Sequence, residues 1–170
     1  MIDIMPAQVG DALEDVIQLS QEYVNWMIGE AREHYPDIDL NEFASEHKYD
    51  DVRKKFPGEH VPPKGCLLLA KQDGVVCGCI ALGKLTDTIC EMRTLFVRPE
   101  CRGARAGKLL AEACLNEARK FGYQRMRLDT LEFMEGAQTL YRSMGFYAIE
   151  PYLDLSENLK RHIRFFECRL

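Results

Sequence analysis

The chain has 170 residues, 46% of them hydrophobic and 29% charged, and a net charge of -5. That length suits one domain, residues 1–170, with a sizeable core. The acidic balance argues against non-specific nucleic-acid binding, which needs a basic surface, and suits a cationic partner. No apolar run is long enough to cross a bilayer, and the opening MIDIMPAQVGDALED has no basic stretch followed by an apolar one. The expectation is a cytoplasmic protein without membrane or nucleic-acid partners.

Residues 11–28 carry Leu13, Val16, Ile17, Leu19, Tyr23, Val24 and Met27 at the spacing of an amphipathic helix. Residues 30–60 are more polar and broken by Pro36, Pro57 and Gly58, which predicts short helices and loops outside the core. CLLLAKQ (66–72) and VVCGCIALG (75–83) are β-like runs joined by Asp73-Gly74, a strong hairpin signal. ICEMRTLFV (89–97) is a third such run, ended by Pro99. From 107 to 121 the pattern turns helical, with Leu110, Cys114, Ala118 and Phe121 on one stripe and Gly122 as the stop. RMRLD (125–129) alternates with Met126 and Leu128 inward, residues 137–144 form a short helix closed by Gly145, and RFFECRL (164–170) is a final strand. Antiparallel strands followed by alternation with helices predict a mixed-sheet α/β domain.

The seven cysteines are scattered, mostly in apolar stretches such as Cys66 ahead of Leu67, and read as reduced, buried thiols. Cys77 and Cys79 form a C-x-C, but no second Cys or His pair lies at zinc spacing, so no metal is expected.

The segment from Val97 to Lys108 joins a strand to a helix. Successive N–H groups at such a helix start can surround an anion, and the helix dipole adds to the attraction. Gly103, Ala104, Ala106 and Gly107 let a diphosphate approach the backbone, while Arg102, Arg105 and Lys108 add positive charge. A P-loop is excluded, because Leu109 stands where Ser or Thr should follow the lysine, and RGARAG lacks the dinucleotide fingerprint.

With its neighbours this loop resembles the GNAT superfamily of N-acetyltransferases. That family carries R/Q-x-x-G-x-G/A before a helix and V-x-P just upstream. Here Val97-Arg98-Pro99 precedes Arg102-Gly103-Ala104-Arg105-Ala106-Gly107. A second family element, A-x-x-L-Y-x-x-x-G-F, stands unchanged in Ala137, Leu140, Tyr141, Gly145 and Phe146, one helix and one strand further on. Similarity is close from 91 to 146, and the order of elements extends it to the whole chain. The departure is Arg105, where the family has its middle glycine.

The resemblance implies a mixed, mostly antiparallel sheet of about six to seven strands flanked by helices. It implies transfer of the acetyl group of acetyl-CoA to a primary amine, small or peptidic, by direct attack in a ternary complex, with a homodimer open as the assembly. It puts protonation of the leaving thiolate on Tyr141 and proposes Glu91 as base, with a salt bridge from Glu91 to Arg93 as the alternative. The Leu95 N–H would polarise the acetyl carbonyl, Val97 would pair with pantetheine, and Phe96 between them belongs to the same cofactor-binding edge. Period two places Glu91, Arg93, Leu95 and Val97 on one face. Asp129 is placed to line the acceptor pocket or to cap the next loop.

His34, His47, His60 and His162 lie in polar stretches and read as surface residues. In residues 30–60 the acids Glu30, Glu33, Asp37, Asp39, Glu42, Glu46, Asp50, Asp51 and Glu59 outnumber Arg32, Lys48, Arg53, Lys54 and Lys55. They would draw a cationic amine or form a solvated face. The competing function is a sensor that holds acetyl-CoA without turnover.

Overall fold

The structure, a computed structural model, describes residues 1–39 and 52–170. In chain order its elements are β1 (Ile2–Pro6), α1 (Gly10–His34), α2 (Val52–Lys55), β2 (Cys66–Gln72), β3 (Val75–Lys84), β4 (Ile89–Val97), α3 (Ala106–Lys120), β5 (Arg125–Leu131), α4 (Glu135–Ser143), β6 (Tyr147–Ile149), α5 (Glu157–Lys160) and β7 (Ile163–Arg169). The strands form one sheet in the order β1-β2-β3-β4-β5-β7-β6. Every pairing is antiparallel except that of β4 with β5. Asp73 and Gly74 both take positive φ in the β2–β3 turn, as a two-residue hairpin requires.

Each face of the sheet has its own helix. The α1 stripe of Val16, Leu19, Val24 and Met27 is buried, with Val16 and Leu19 meeting Leu67, Leu69, Cys79, Ala81 and Phe96 on one face. The α3 stripe of Leu110, Cys114 and Ala118 meets Cys66, Leu68, Ile80, Leu82, Met92, Met126 and Leu128 on the other. Burying a Leu-sized side chain contributes about 1.5–3 kcal/mol, so these two layers dominate stability. All seven cysteines are free and buried. Burial pushes the thiols of Cys66, Cys79 and Cys90 up to about 12, which leaves them protonated and inert.

Three sequence expectations change. The first helix runs to His34, because 29–34 contains good helix formers and Pro36 lies just beyond its end. Residues 30–60 are not all outside the core, since Ala31, Ile38 and His60 are buried. The edge strands β1 and β6, of five and three residues, are too short to stand out in sequence; pairing with β2 and β7 defines them. Glu42, Glu46, His47, Lys48, Asp50 and Asp51 lie outside the described residues. No helix among the described residues is long and apolar enough to cross a membrane.

One ion pair ties α1 to the end of β4. Arg98 donates through Nε and Nη2 to the two Glu22 oxygens at 2.8 and 2.7 Å, and through Nη1 to the Val76 carbonyl. The hydrogen bond from Arg98 holds the Glu22 carboxyl below its ordinary 4.5. A depressed carboxylate stabilises the fold above its unfolded pKa, and the contribution disappears as pH falls below about 4.5 towards the folded value. Glu22→Gln is therefore expected to lower stability by about 1 kcal/mol at pH 7, a modest figure for a partly exposed pair. The difference from wild type should vanish near pH 3, which urea titrations at the two pH values measure.

Candidate active site

Strands β4 and β5 pair only through Ile89↔Arg125, Cys90↔Met126 and Glu91↔Arg127. Both then continue without pairing to each other, so a gap opens in the sheet just past Glu91. A bulge in β4 sharpens the break: Cys79 faces Phe96 but Ala81 faces Arg93, leaving Thr94 and Leu95 opposite Ile80. Thr94 sits there at φ 52°. The extra residue reverses the alternation. Cys90 and Met92 before the bulge, and Leu95 and Val97 after it, pack on the α3 side; Glu91 lies towards α1. The expected common face for Glu91, Arg93, Leu95 and Val97 is thus corrected: a period-two count cannot anticipate a bulge.

The gap is the floor of a cavity of about 570 Å³. Tyr23 and Val24 of α1, Phe56, Glu59 and His60 of the loop before β2, and Leu153 enclose it. Glu91, Arg93, Thr94 and Leu95 of β4, Asp129 and Thr130 of β5, and Tyr141 of α4 complete the wall. Tyr141 belongs to the core cluster on the α3 side yet lines a cavity that α1 covers. Only the split between β4 and β5 lets it reach through.

Glu91 is 6% exposed, and both its oxygens are engaged. Arg93 Nε donates to Oε2, and the Tyr152 hydroxyl donates to Oε1 at 2.8 Å. Arg93 also reaches Glu59 through Nη1. The salt bridge considered for Glu91 is present, and it sits inside the cavity. Tyr141 is 7% exposed, with its ring against Phe146 and Phe166. Burial, helped by the Asp129 charge, raises its phenol above the ordinary 10, so it is protonated and able to donate at neutral pH. Asp129 lies within β5 and lines the cavity.

The Arg102–Lys108 turn lies past the end of β4. Gly103 takes φ 88° and Arg105 takes φ 67°, ψ 11° as the residue before α3. Arg105 thus holds the left-handed conformation that glycine adopts without penalty, so the chain path survives the loss of the family's glycine. The Leu109 N–H bonds the Arg105 carbonyl at 3.0 Å; the N–H groups ahead of it are those a helix start leaves without intrahelical partners. The basic side chains do not act as one group. Arg102 Nε donates to the Val97 carbonyl at 3.2 Å, and its guanidinium lies over Trp26. Arg105 is exposed, and Lys108 lies 3.7 Å from Glu112. The Phe96 ring packs against Tyr23 in the α1-side core, so Phe96 offers only backbone to a ligand at this edge.

Several cavity residues escape sequence reasoning. His60 is 5% exposed, not a surface residue; its setting among Pro57, Gly58, Pro62 and Pro63 was the available sign of a fixed position. His162 stacks on Tyr35 at 4.0 Å and is half-buried, whereas His34 is exposed as expected. Tyr152 reaches Glu91 from 61 residues away, whereas Glu59, one of the acids expected to draw a cationic amine, lines the cavity. Among the described residues no group of His, Cys, Asp and Glu is placed to hold a metal.

The site thus sits on a mixed sheet that parts between two parallel strands over a polar cavity, with a small-residue helix start at its end. Residues 21–146 match the model of the Acetyltransferase (GNAT) family, and the chain belongs to that family and is an acyltransferase. An uncharacterized N-acetyltransferase of Schizosaccharomyces pombe is 33% identical over 156 residues, 89% of this chain and 86% of that protein. The fold is similar to that of an acetyltransferase from Streptococcus agalactiae, with a TM-score of 0.73 and 23% identity over 99% of this chain and 98% of that one. It is also similar to the PaiA N-acetyltransferase of Thermoplasma acidophilum solved with coenzyme A, with a TM-score of 0.64 and 18% identity over 100% and 99% of the two chains.

The left-handed Arg105 yields a direct test. Replacing it with glycine removes a conformational cost of roughly 1–2 kcal/mol, partly offset by the greater freedom of glycine in the unfolded chain. Arg105→Gly is expected to be about 1 kcal/mol more stable than Arg105→Ala, which keeps the strain and loses only the side chain. Chemical denaturation of the two variants measures the difference, and equal midpoints would contradict the assigned backbone.

Proposed function

We propose that this acyltransferase moves the acetyl group of acetyl-CoA to a primary amine, on a small molecule or a peptide, by direct attack in a ternary complex. The observation that carries the reading is the cavity itself. It brings a protonated, buried phenol, the bulged edge of β4 and a polar group centred on Glu91 around one partly open cleft.

In this reading the diphosphate of acetyl-CoA meets the N–H groups from Gly103 to Lys108, with Arg105 and Lys108 adding charge from the exposed side. Arg102 turns from Trp26 and the Val97 carbonyl towards the diphosphate, which frees Val97 to pair with pantetheine. The thioester lies along Leu95, Phe96 and Val97, and the bulge points the Leu95 N–H at the acetyl oxygen, where negative charge develops during attack. Tyr141 donates its proton to the departing thiolate. Glu91, with Glu59 and Asp129, supplies the negative potential that draws a cationic amine in, and the amine's proton leaves through this end. Because Arg93 and Tyr152 hold both Glu91 oxygens, Glu91 does not meet that proton directly. The described residues work as one domain, and a reduced, cytoplasmic setting suits the seven free thiols.

Calorimetry should detect acetyl-CoA binding that weakens as salt rises, since fixed cations meet phosphates. A panel of primary amines assayed for CoA release then identifies an acceptor. With that acceptor, Tyr141→Phe should lower kcat by roughly 10²–10⁴-fold, towards the low end because thiolates leave readily, with acetyl-CoA affinity unchanged. Full turnover by Tyr141→Phe would remove the phenol from the chemistry.

A further inference from the structure

His60 is the cavity group with the least explained placement. Its Nδ1 lies 3.0 Å from the Leu82 carbonyl oxygen. A carbonyl only accepts, so Nδ1 carries the proton and donates it. Nε2 then bears the lone pair, and the hydrogen bond seen for this ring among the described residues is the one at Nδ1. The ring is held firmly: the His60 N–H bonds the Pro57 carbonyl at 2.8 Å, and Phe56 packs against the imidazole at 5.2 Å.

Gly83 explains how the ring fits there. A Cβ on Gly83 would stand 2.6 Å from Arg93 Nη1 and 3.3 Å from His60 Cε1, so a glycine makes room for both side chains above β3. Gly83 pairs with Glu91 across the ladder, which sets His60 beside the Glu91–Arg93 pair. The charged groups around it are Lys55 and Glu59 from its own segment and Glu91 and Arg93 from β4. Arg93 already binds both Glu59 and Glu91. Burial, ahead of the other causes, lowers the imidazole below its ordinary 6.5, so the ring is neutral at pH 7.

Resting on the reading of acetyl transfer to a primary amine, we infer that His60 is the general base, its Nε2 taking the proton of the acceptor nitrogen as the amine attacks. The C–N bond forms first, and the nitrogen becomes cationic and acidic. His60 removes one proton from it, the C–S bond breaks with its electron pair going to sulfur, and Tyr141 supplies a proton to the thiolate. Solvent later takes the proton from His60 and returns one to Tyr141. The sum is amine plus thioester giving amide plus thiol. Glu91 becomes a positioning residue that holds Arg93 and Tyr152 and adds negative potential beside the imidazole.

His60→Asn keeps a donor near the Leu82 carbonyl and removes the lone pair. With the best acceptor of the amine panel, kcat/KM should fall about 10²–10⁴-fold, with acetyl-CoA affinity unchanged. Wild type needs His60 neutral, so its activity should fall as pH drops through a value below 6.5. That acid limb should be lost in His60→Asn and kept in Glu91→Gln. Nitrogen-15 NMR of the wild-type protein, with His60 assigned by its loss in the variant, should show the Nδ1–H tautomer at pH 7. An unaltered acid limb in His60→Asn, an Nε2–H tautomer or an imidazolium at pH 7 would each overturn the base assignment alone. A wild-type protein that acetylates none of the amines would overturn the transfer reading, and the role of His60 with it.

Discussion

The site depends on one constraint: two parallel strands that share a ladder for three residue pairs and then part. Parallel neighbours normally stay bonded along their length, because every backbone N–H and C=O needs a partner. Here β4 keeps its partner β3 and β5 keeps β7, so each remains in the sheet while the space between them opens. The opening lets side chains from both faces converge. Glu91 and Arg93 come from one side, Tyr141 from the other, and α1 closes the top. In an unbroken sheet these groups would be separated by a layer of backbone.

The bulge at Thr94 and Leu95 extends the same constraint. One extra residue inverts the pleat, so Leu95 and Val97 pack towards α3 while Glu91 remains towards α1. The β4 edge past the bulge can then serve a ligand with its backbone while its side chains belong to the core. The positive φ at Thr94 is local strain of the kind that persists where surrounding packing enforces it, and here it lies on the cavity wall. Arg105 shows the same conformation before α3 and carries the same local cost, with its side chain exposed.

The cavity's electrostatics follow from burial and pairing. Removing charges from water is costly unless they are paired, and the cavity meets this with an arginine between two carboxylates and a tyrosine hydroxyl on one of them. Burial also sets protonation states. It keeps the Tyr141 phenol protonated and the His60 imidazole neutral, giving a donor and an acceptor on one cavity wall at the same pH.

The sequence by itself determined the central hairpin, the strand 89–97, the two later helices and the composition of the turn at 102–108, because each is written in local signals. Those signals are two-residue turns, period-two or helical apolar spacing, and glycine stops at 122 and 145. The two family motifs also placed Tyr141 and the turn. Tertiary structure alone decided what depends on contacts distant in the chain. It defined β1 and β6 by pairing and inverted β4 with a bulge. It drew His60, Glu59 and Tyr152 to Glu91 from positions up to 61 residues away. A histidine in a polar, proline-rich stretch looks solvated until the fold provides Leu82, Phe56 and the bare backbone of Gly83 to hold it. Burial is a property of what packs around a residue, and the neighbours that bury His60 are not its neighbours in the sequence.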